Sequence, residues 1–379
     1  MKNKLLLTLS IVSIAGLLVA CNNNSGTTSS TGGTTSSTTS NNTPASTTTT
    51  ETKSTFKQGL GTSIDFATTD EGVITQANVY VASVIFDSED KIVSAYIDEL
   101  QIPLTYTAAE GETAASLTFK EDAKQVTSSH KPEGQAVASK KELLEDYGMS
   151  VVNPAKGEWY VQAAAIEATA IGLTVEQFQA QVGENGKPAE GSDLSAESSI
   201  TVSTTAKTLA AAKAHAKSYE AAEAGVAGAG IVLTGISKDY SGNWQLDVEM
   251  AASAVADAKV VSTQVSVYQI PVATDGKLGT NNAVTYATEV GAVGTIASKL
   301  ELGDKYGMAS AAKGDWYVQS LAYETWAVGK DATQLAAAVD PETNKAKDDD
   351  LAADVSITVN GFSASVAESL SHVRKDSYK

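Results

Sequence analysis

A single cysteine, Cys21, serves all 379 residues. One cysteine makes no intrachain disulfide, no iron–sulfur ligand set and no CxxCH haem attachment. Histidine is nearly as scarce: His130, His215 and His372 lie outside any HExxH or HxH pattern. With no GxSxG and no cysteine–histidine pairing, a hydrolase finds no support. Positive charge is also short, 27 Lys and Arg against 45 Asp and Glu, a net −18. That balance argues against nucleic acid and against a polybasic membrane contact. Any redox chemistry must therefore come from an organic cofactor held without cysteine.

Long apolar runs are missing too. Leu5–Ala20 follows the basic start Met1-Lys-Asn-Lys4 and is too short for a spanning helix, but it has the form of a secretory leader. Its end, Leu18-Val-Ala-Cys21, resembles the lipobox of bacterial lipoproteins. The resemblance implies cleavage before Cys21, a diacylglyceryl thioether on its sulfur, and hence no free thiol in the mature chain. Losing Lys2 and Lys4 takes the charge from −18 to −20. Ile14-Ala-Gly-Leu-Leu-Val-Ala20 also resembles the short apolar pheromones released from such leaders. Residues 21–54 are nearly all Asn, Ser, Thr and Gly, a composition that buries no core and reads as a disordered tether.

What the rest of the chain has is repetition. Lys156-Gly-Glu-Trp-Tyr-Val-Gln162 returns as Lys313-Gly-Asp-Trp-Tyr-Val-Gln319, and Ser199-Ile-Thr-Val202 returns as Ser356-Ile-Thr-Val359. The offset is 157 at the tryptophans (316 − 159), the threonines (358 − 201) and the histidines (372 − 215). The expected organisation is a leader over 1–20, the lipidated tether over 21–54, and two copies of one small domain over 55–219 and 225–379. The segment Glu220–Gly230 reads as a small, flexible joint.

Each copy opens with a β-branched hairpin, Thr75–Phe86 with Lys91–Ile97, then Trp244–Val255 with Lys259–Val267. Both hairpins reach Gln-Ile-Pro, at Gln101–Pro103 and Gln269–Pro271. Helices follow. Ser139–Tyr147 and Ser298–Tyr306 stop at Gly148 and Gly307; Trp159–Ile171 and Trp316–Val328 stop at Gly172 and Gly329. Thr174 with Gln177, and Asp331 with Gln334, start a third helix in each copy. Thr204–Ala216 and Ser363–His372 close the copies, with His215 and His372 placed mid-helix. The fold class is α+β, an antiparallel sheet packed by helices.

Ser-Ile-Thr-Val favours extended backbone, and a helix follows it. Thr201 and Thr358 then stand just ahead of a helix N-terminus, where free N–H groups and the dipole suit a phosphate. Glu197, Asp354, Asp193 and Asp350 precede them and offer carboxylates for a metal or a transferring enzyme. The plain alternative is helix capping by Ser and Thr. Tyr147, Trp159 and Tyr160, echoed by Tyr306, Trp316 and Tyr317, with Met149 and Met308, form a wall for a planar ring or else a core cluster.

These features together resemble the Gram-positive surface lipoproteins with paired FMN-binding-type domains that serve extracellular electron transfer. The matching parts are the lipobox, the polar tether, Tyr-Gly-Met, Gly-Glu/Asp-Trp-Tyr and Ser-Ile-Thr-Val, over about 140–217 and 299–374. The resemblance implies an FMN transferase as partner and FMN joined by a phosphoester to Thr201 and Thr358, with Ser199 and Ser356 as neighbouring hydroxyls. It also implies electrons taken from membrane electron-transfer proteins and the quinone pool, ferric iron or other external acceptors beyond, and a lipid-anchored place on the outer face of the membrane. A non-redox binding lipoprotein holding a sugar, peptide or free flavin is the alternative.

Overall fold

The structure, a computed structural model, describes residues 53–375. Cys21, the leader and almost all of the tether lie outside the described residues.

β-Branched and aromatic residues build nine strands among the described residues. In the first half β1 (Ser54–Thr68), β2 (Ile74–Phe86), β3 (Ile92–Thr107), β4 (Ser116–Phe119) and β5 (Lys217–Ala221) form one sheet in the order β4-β3-β2-β1-β5. In the second half β8 (Trp244–Ala256) pairs with β9 (Lys259–Val272) and also with β6 (Val226–Val232) and β7 (Ile236–Lys238). Every pairing is antiparallel. The β8–β9 turn sets Asp257 and Ala258 at φ 50° and 56°, the left-handed pair whose twist suits a two-residue hairpin.

Four helices of twelve residues dominate the rest: α1 (Trp159–Ala170), α2 (Ser203–Ala214), α3 (Trp316–Ala327) and α4 (Asn360–Ser371). The sheets pack face to face. Leu60, Val79, Leu100 and Ile102 meet Ile231, Val248, Met250 and Ile270 in one continuous core. Outside it, Phe86, Ile97, Trp159, Ile166 and Leu209 pack α1 and α2 on the first sheet. Val265, Trp316, Tyr323, Phe362 and Val366 pack α3 and α4 on the second. The result is helix, sheet, sheet, helix, an α+β arrangement. At about 1.5–3 kcal/mol per fully buried aliphatic or Phe side chain, this shared core is the main driving force. Polar bonds cross it: Gln58 Nε2 donates to Ala252 O at 3.0 Å, and Leu60 N donates to Gln264 Oε1 at 2.7 Å.

The expected flexible joint is corrected. Val226–Val232 is a strand, paired to β8 and laid under α4. Its Gly228 and Gly230 are there for contact: a Cβ on them would lie 2.1 Å from Ser369 O and 2.0 Å from Ser365 O. Gly59 and Gly61 on β1 face α2 in the same way, each 1.9 Å from a carbonyl, Ala212 O and Thr208 O. No side chain fits at that approach. The histidines are corrected as well: His215 and His372 terminate α2 and α4 rather than lying within them.

The expected starts and stops appear. Ser139, Ser298, Thr174 and Asp331 all close capping boxes, and Gly148 and Gly307 take left-handed φ of 73° and 90°. The helices predicted over Ser139–Tyr147 and Ser298–Tyr306 are each one α-helical turn followed by a 3₁₀ turn.

Candidate functional site: two aromatic cavities

Two buried glutamines explain why the separated motifs travel together. Gln162, fully buried on α1, uses Oε1 to accept from Ser199 N (2.9 Å) and Ser199 Oγ (3.2 Å), while its Nε2 donates to Gly157 O (3.2 Å). Gln319 on α3 accepts from Ser356 N (2.8 Å) and Ser356 Oγ (3.1 Å) and donates to Gly314 O (2.9 Å). Each amide thus hooks Ser-Ile-Thr-Val to the Lys-Gly-acid-Trp loop. Leaving such a buried amide unpaired costs about 1–3 kcal/mol.

The acid of that loop reaches the third motif. Glu158 stands at the N-cap position of α1 without a side-chain cap bond and accepts from Met149 N (2.7 Å) and Ser150 N (3.0 Å); Asp315 caps α3 through Trp316 N and accepts from Met308 N (3.1 Å). Burial pushes the Glu158 carboxyl up, but its bonds to Ser150 and Met149 outweigh that and hold it below the usual range. The lysines do the same work: Lys156 Nζ donates to Ala196 O and Lys313 Nζ to Ala353 O.

The frame brings most of the sequence-predicted residues to two cavities. One, of about 990 Å³, is lined by Tyr306, Met308, Trp316, Ser356, Ile357 and Thr358, with Lys299, Gln269 and Glu249 opposite. The other, about 430 Å³, takes Met149, Trp159, Ser199, Ile200 and Thr201, with Lys140, Glu99 and Tyr80. Tyr147 faces a neighbouring cleft of about 850 Å³ that shares Met149. Thr201 and Thr358 are exposed, each one residue before the N-cap of its helix, Val202 and Val359. Ser199 and Ser356 are tied into the glutamine hooks, and Ser199 Oγ also accepts from Asn153 Nδ2 at 2.5 Å.

Tyr160 and Tyr317 stand apart from these cavities. Tyr160 donates to Glu145 Oε1 at 2.8 Å, and burial with that bond pushes its hydroxyl up to about 12. Tyr317 is exposed on α3. Next to each tryptophan on a helix, they point roughly 100° away. Glu197, Asp193, Asp350 and Asp354 are exposed and line neither cavity.

A lysine from each cavity lies over the matched Tyr and Trp rings, although Tyr147 itself faces the neighbouring cleft. Lys140 Nζ is 5.0 Å from the Tyr147 ring centre and 5.2 Å from Trp159; Lys299 Nζ is 4.6 Å from Tyr306 and 5.7 Å from Trp316. Lys140 also pairs with Glu99 at 2.6 Å, both ends buried. Burial raises the Glu99 carboxyl and Lys140 opposes the rise. In the larger cavity Glu249 Oε2 is buried without a hydrogen bond. Its burial, opposed by Lys299, pushes the carboxyl up to about 7. Sequence reading missed Gln162, Gln319, Glu249 and the two lysines. Only the glutamines left a signal, as the last letters of the repeated heptapeptide.

No protein-family model, curated protein or solved structure matches the chain.

Proposed function

We propose that the chain is a lipid-anchored flavoprotein on the outer face of the membrane, built from two tandem copies of one design. Thr201 and Trp159 in one cavity, and Thr358, Trp316 and Tyr306 in the other, would hold FMN, which would supply the redox chemistry between the membrane quinone pool and external acceptors such as ferric iron. The protein supplies binding, orientation and electrostatics, and the flavin supplies the redox chemistry. The tandem reading rests on the matched capping boxes, glutamine hooks and glycine contacts as much as on the repeated motifs.

The observation that carries the proposal is the position of Thr358. Its side chain is exposed at a cavity of about 990 Å³ that also holds Trp316, Tyr306 and Met308. Aromatic faces suit a flat ring system. A helix start and a lysine suit a phosphate. The residues present therefore fit FMN, with Thr358 and Lys299 as the groups that would hold its phosphate and Trp316 and Tyr306 those that would hold its ring. Thr201 has the matching place beside Trp159.

A second reading, a reversible ligand-binding lipoprotein, is favoured by Ile200 and Ile357. They stand where the family's attachment motif carries small residues. Expression beside a competent FMN transferase, followed by intact mass, separates the two. The first predicts a gain of two flavin-phosphate units, lost in the Thr201→Ala, Thr358→Ala double variant. No gain, with the transferase active on a known substrate, overturns covalent attachment; a ligand then removed by dialysis supports the second reading.

A further inference from the structure

Away from both cavities, residues of the two halves meet in a cluster that is buried at Glu142 and half-buried at His372. Glu142, from the turn after Ser139, comes within 4.8 Å of Glu368 and His372 through one ligand atom on each residue. Glu368 lies on α4 and His372 ends it. None of the three lines either aromatic cavity.

The cluster is tightly held. Glu142 Oε2 accepts from Ser139 N at 2.6 Å, which fixes the carboxylate and leaves Oε1 buried with no partner. Glu368 Oε1 accepts from Ile231 N at 3.2 Å and lies 3.2 Å from His372 Nδ1; its Oε2 accepts from Gln135 Nε2 at 2.8 Å. Gln135 Oε1 is likewise buried and unpartnered. Buried polar oxygens without partners are rare, and here two of them flank one cluster.

We propose that this cluster is a divalent transition-metal site, with Glu142, Glu368 and His372 as ligands and the Gln135 carbonyl as a further oxygen beside them. Two carboxylates forced together in a buried place repel, and one dication neutralises both. Carboxylate and imidazole donors together suit zinc, manganese or ferrous iron. The matched place in the other half sharpens the inference. There Glu301 holds the same capping-box role, and His215 is near enough to favour its charge. Ala211 stands where Glu368 does, by the offset of 157 (368 − 211). The third ligand is present on one side only. A metal there would join Gln135 and Glu142 of the first half to Glu368 and His372 of the second, acting as a staple across the shared core.

The test uses the full mature chain, stripped with EDTA and given zinc or manganese. One cation per chain should remain after desalting, and Tm should rise by about 5 °C at a hundredfold excess over Kd. Glu368→Ala, which copies the other half, and His372→Gln should abolish both effects. Cobalt(II) added to the unmodified chain reads the site without a substitution, through visible bands distinct from those of aqueous cobalt. Failure to retain metal, equal retention in both variants, or an aqueous cobalt spectrum would overturn the proposal and leave two carboxyls sharing a proton.

Discussion

Across β2 and β3, Tyr80 faces Glu99, and Glu99 is locked to Lys140 at 2.6 Å. Across β8 and β9 the matched pair is Glu249 and Val267, so the carboxyl sits on the other strand. From there Glu249 makes no ion pair within 4.0 Å among the described residues, although Lys299 still lies over Tyr306 and Trp316. Tyr80 instead donates to Asp65 Oδ2 at 3.2 Å, and burial drives its hydroxyl well above its ordinary range. Moving one acid by one strand therefore separates a self-neutralised cavity, with Glu99 paired to Lys140, from one whose wall carries a titratable acid, Glu249. The frame of glutamine hooks and of acids bonded to Met149 N and Met308 N is common to both, so the placing of charge is where the two cavities part.

The largest effect should come from the buried pairs beneath that frame. Glu167 accepts from Ile97 N at 2.7 Å and pairs with Lys141 at 2.5 Å, both side chains almost fully buried. Glu324 in the second half accepts from Val265 N at 3.1 Å but pairs with Lys217, whose side chain is 39% exposed. Removing one partner of a buried pair strands the other charge, at about 3–5 kcal/mol. Glu167→Ala should cost that much in urea unfolding. Glu324→Ala should cost less, because Lys217 can turn to water. Equal losses would show that the two halves are not distinguished by this solvent access.

Glu249 gives the next effect. Its carboxyl is raised from 4.5 to about 7 in the fold. Folding therefore binds its proton, and the stability it contributes is full below pH 4.5 and lost as pH rises through 7. The span corresponds to about 3 kcal/mol. Glu249→Gln should leave stability unchanged near pH 4.5 and raise it by up to that amount at pH 8, read as Tm against pH. If FMN occupies both cavities, the same substitution should also raise occupancy at Thr358 above pH 7, because the carboxylate no longer repels the phosphate. A flat difference between the two proteins across pH would remove the contrast between the cavities.

How much of this was legible follows from the range of the forces involved. Caps and stops are local chemistry, so Thr174 with Gln177, Asp331 with Gln334, and Gly148 and Gly307 could be read from spacing alone. The convergence of Trp316, Tyr306, Met308 and the Ser356–Thr358 turn was legible because the repetition marked those residues. β1 and β6 were not. Gly59-Leu-Gly61 and Gly228-Ala-Gly230 look like flexible chain, and only the approach of a helix backbone shows why the side chains are missing. The face-to-face packing was hidden for a related reason. Strands covered on both faces lose the alternation that marks a half-buried sheet, as the run of buried residues from Val81 to Phe86 shows. Glu249 was invisible because its importance lies in what it does not touch.

The hooks come next in size. Gln162→Leu and Gln319→Leu keep the volume but leave Ser199 N and Ser356 N without their acceptor. Each should cost about 1–3 kcal/mol, and amide exchange at those two serines should quicken. Loss at one half alone would mean that the matched hooks carry unequal strain.

The smallest effect on stability is the most telling about function. Thr201 and Thr358 are exposed, cap nothing with their side chains, and precede N-caps that are valines. Removing either hydroxyl should shift stability by less than about 0.5 kcal/mol. Their neighbours Ser199 and Ser356 hold the glutamines, so Ser199→Ala and Ser356→Ala should cost about 1 kcal/mol each. The frame thus needs the serines and has no use for the threonine hydroxyls. If FMN mass disappears in the threonine variants while their Tm stays put, the hydroxyl is there for the flavin. If the serine variants lose the flavin and the threonine variants keep it, attachment belongs to the serines and the hooks must open to allow it.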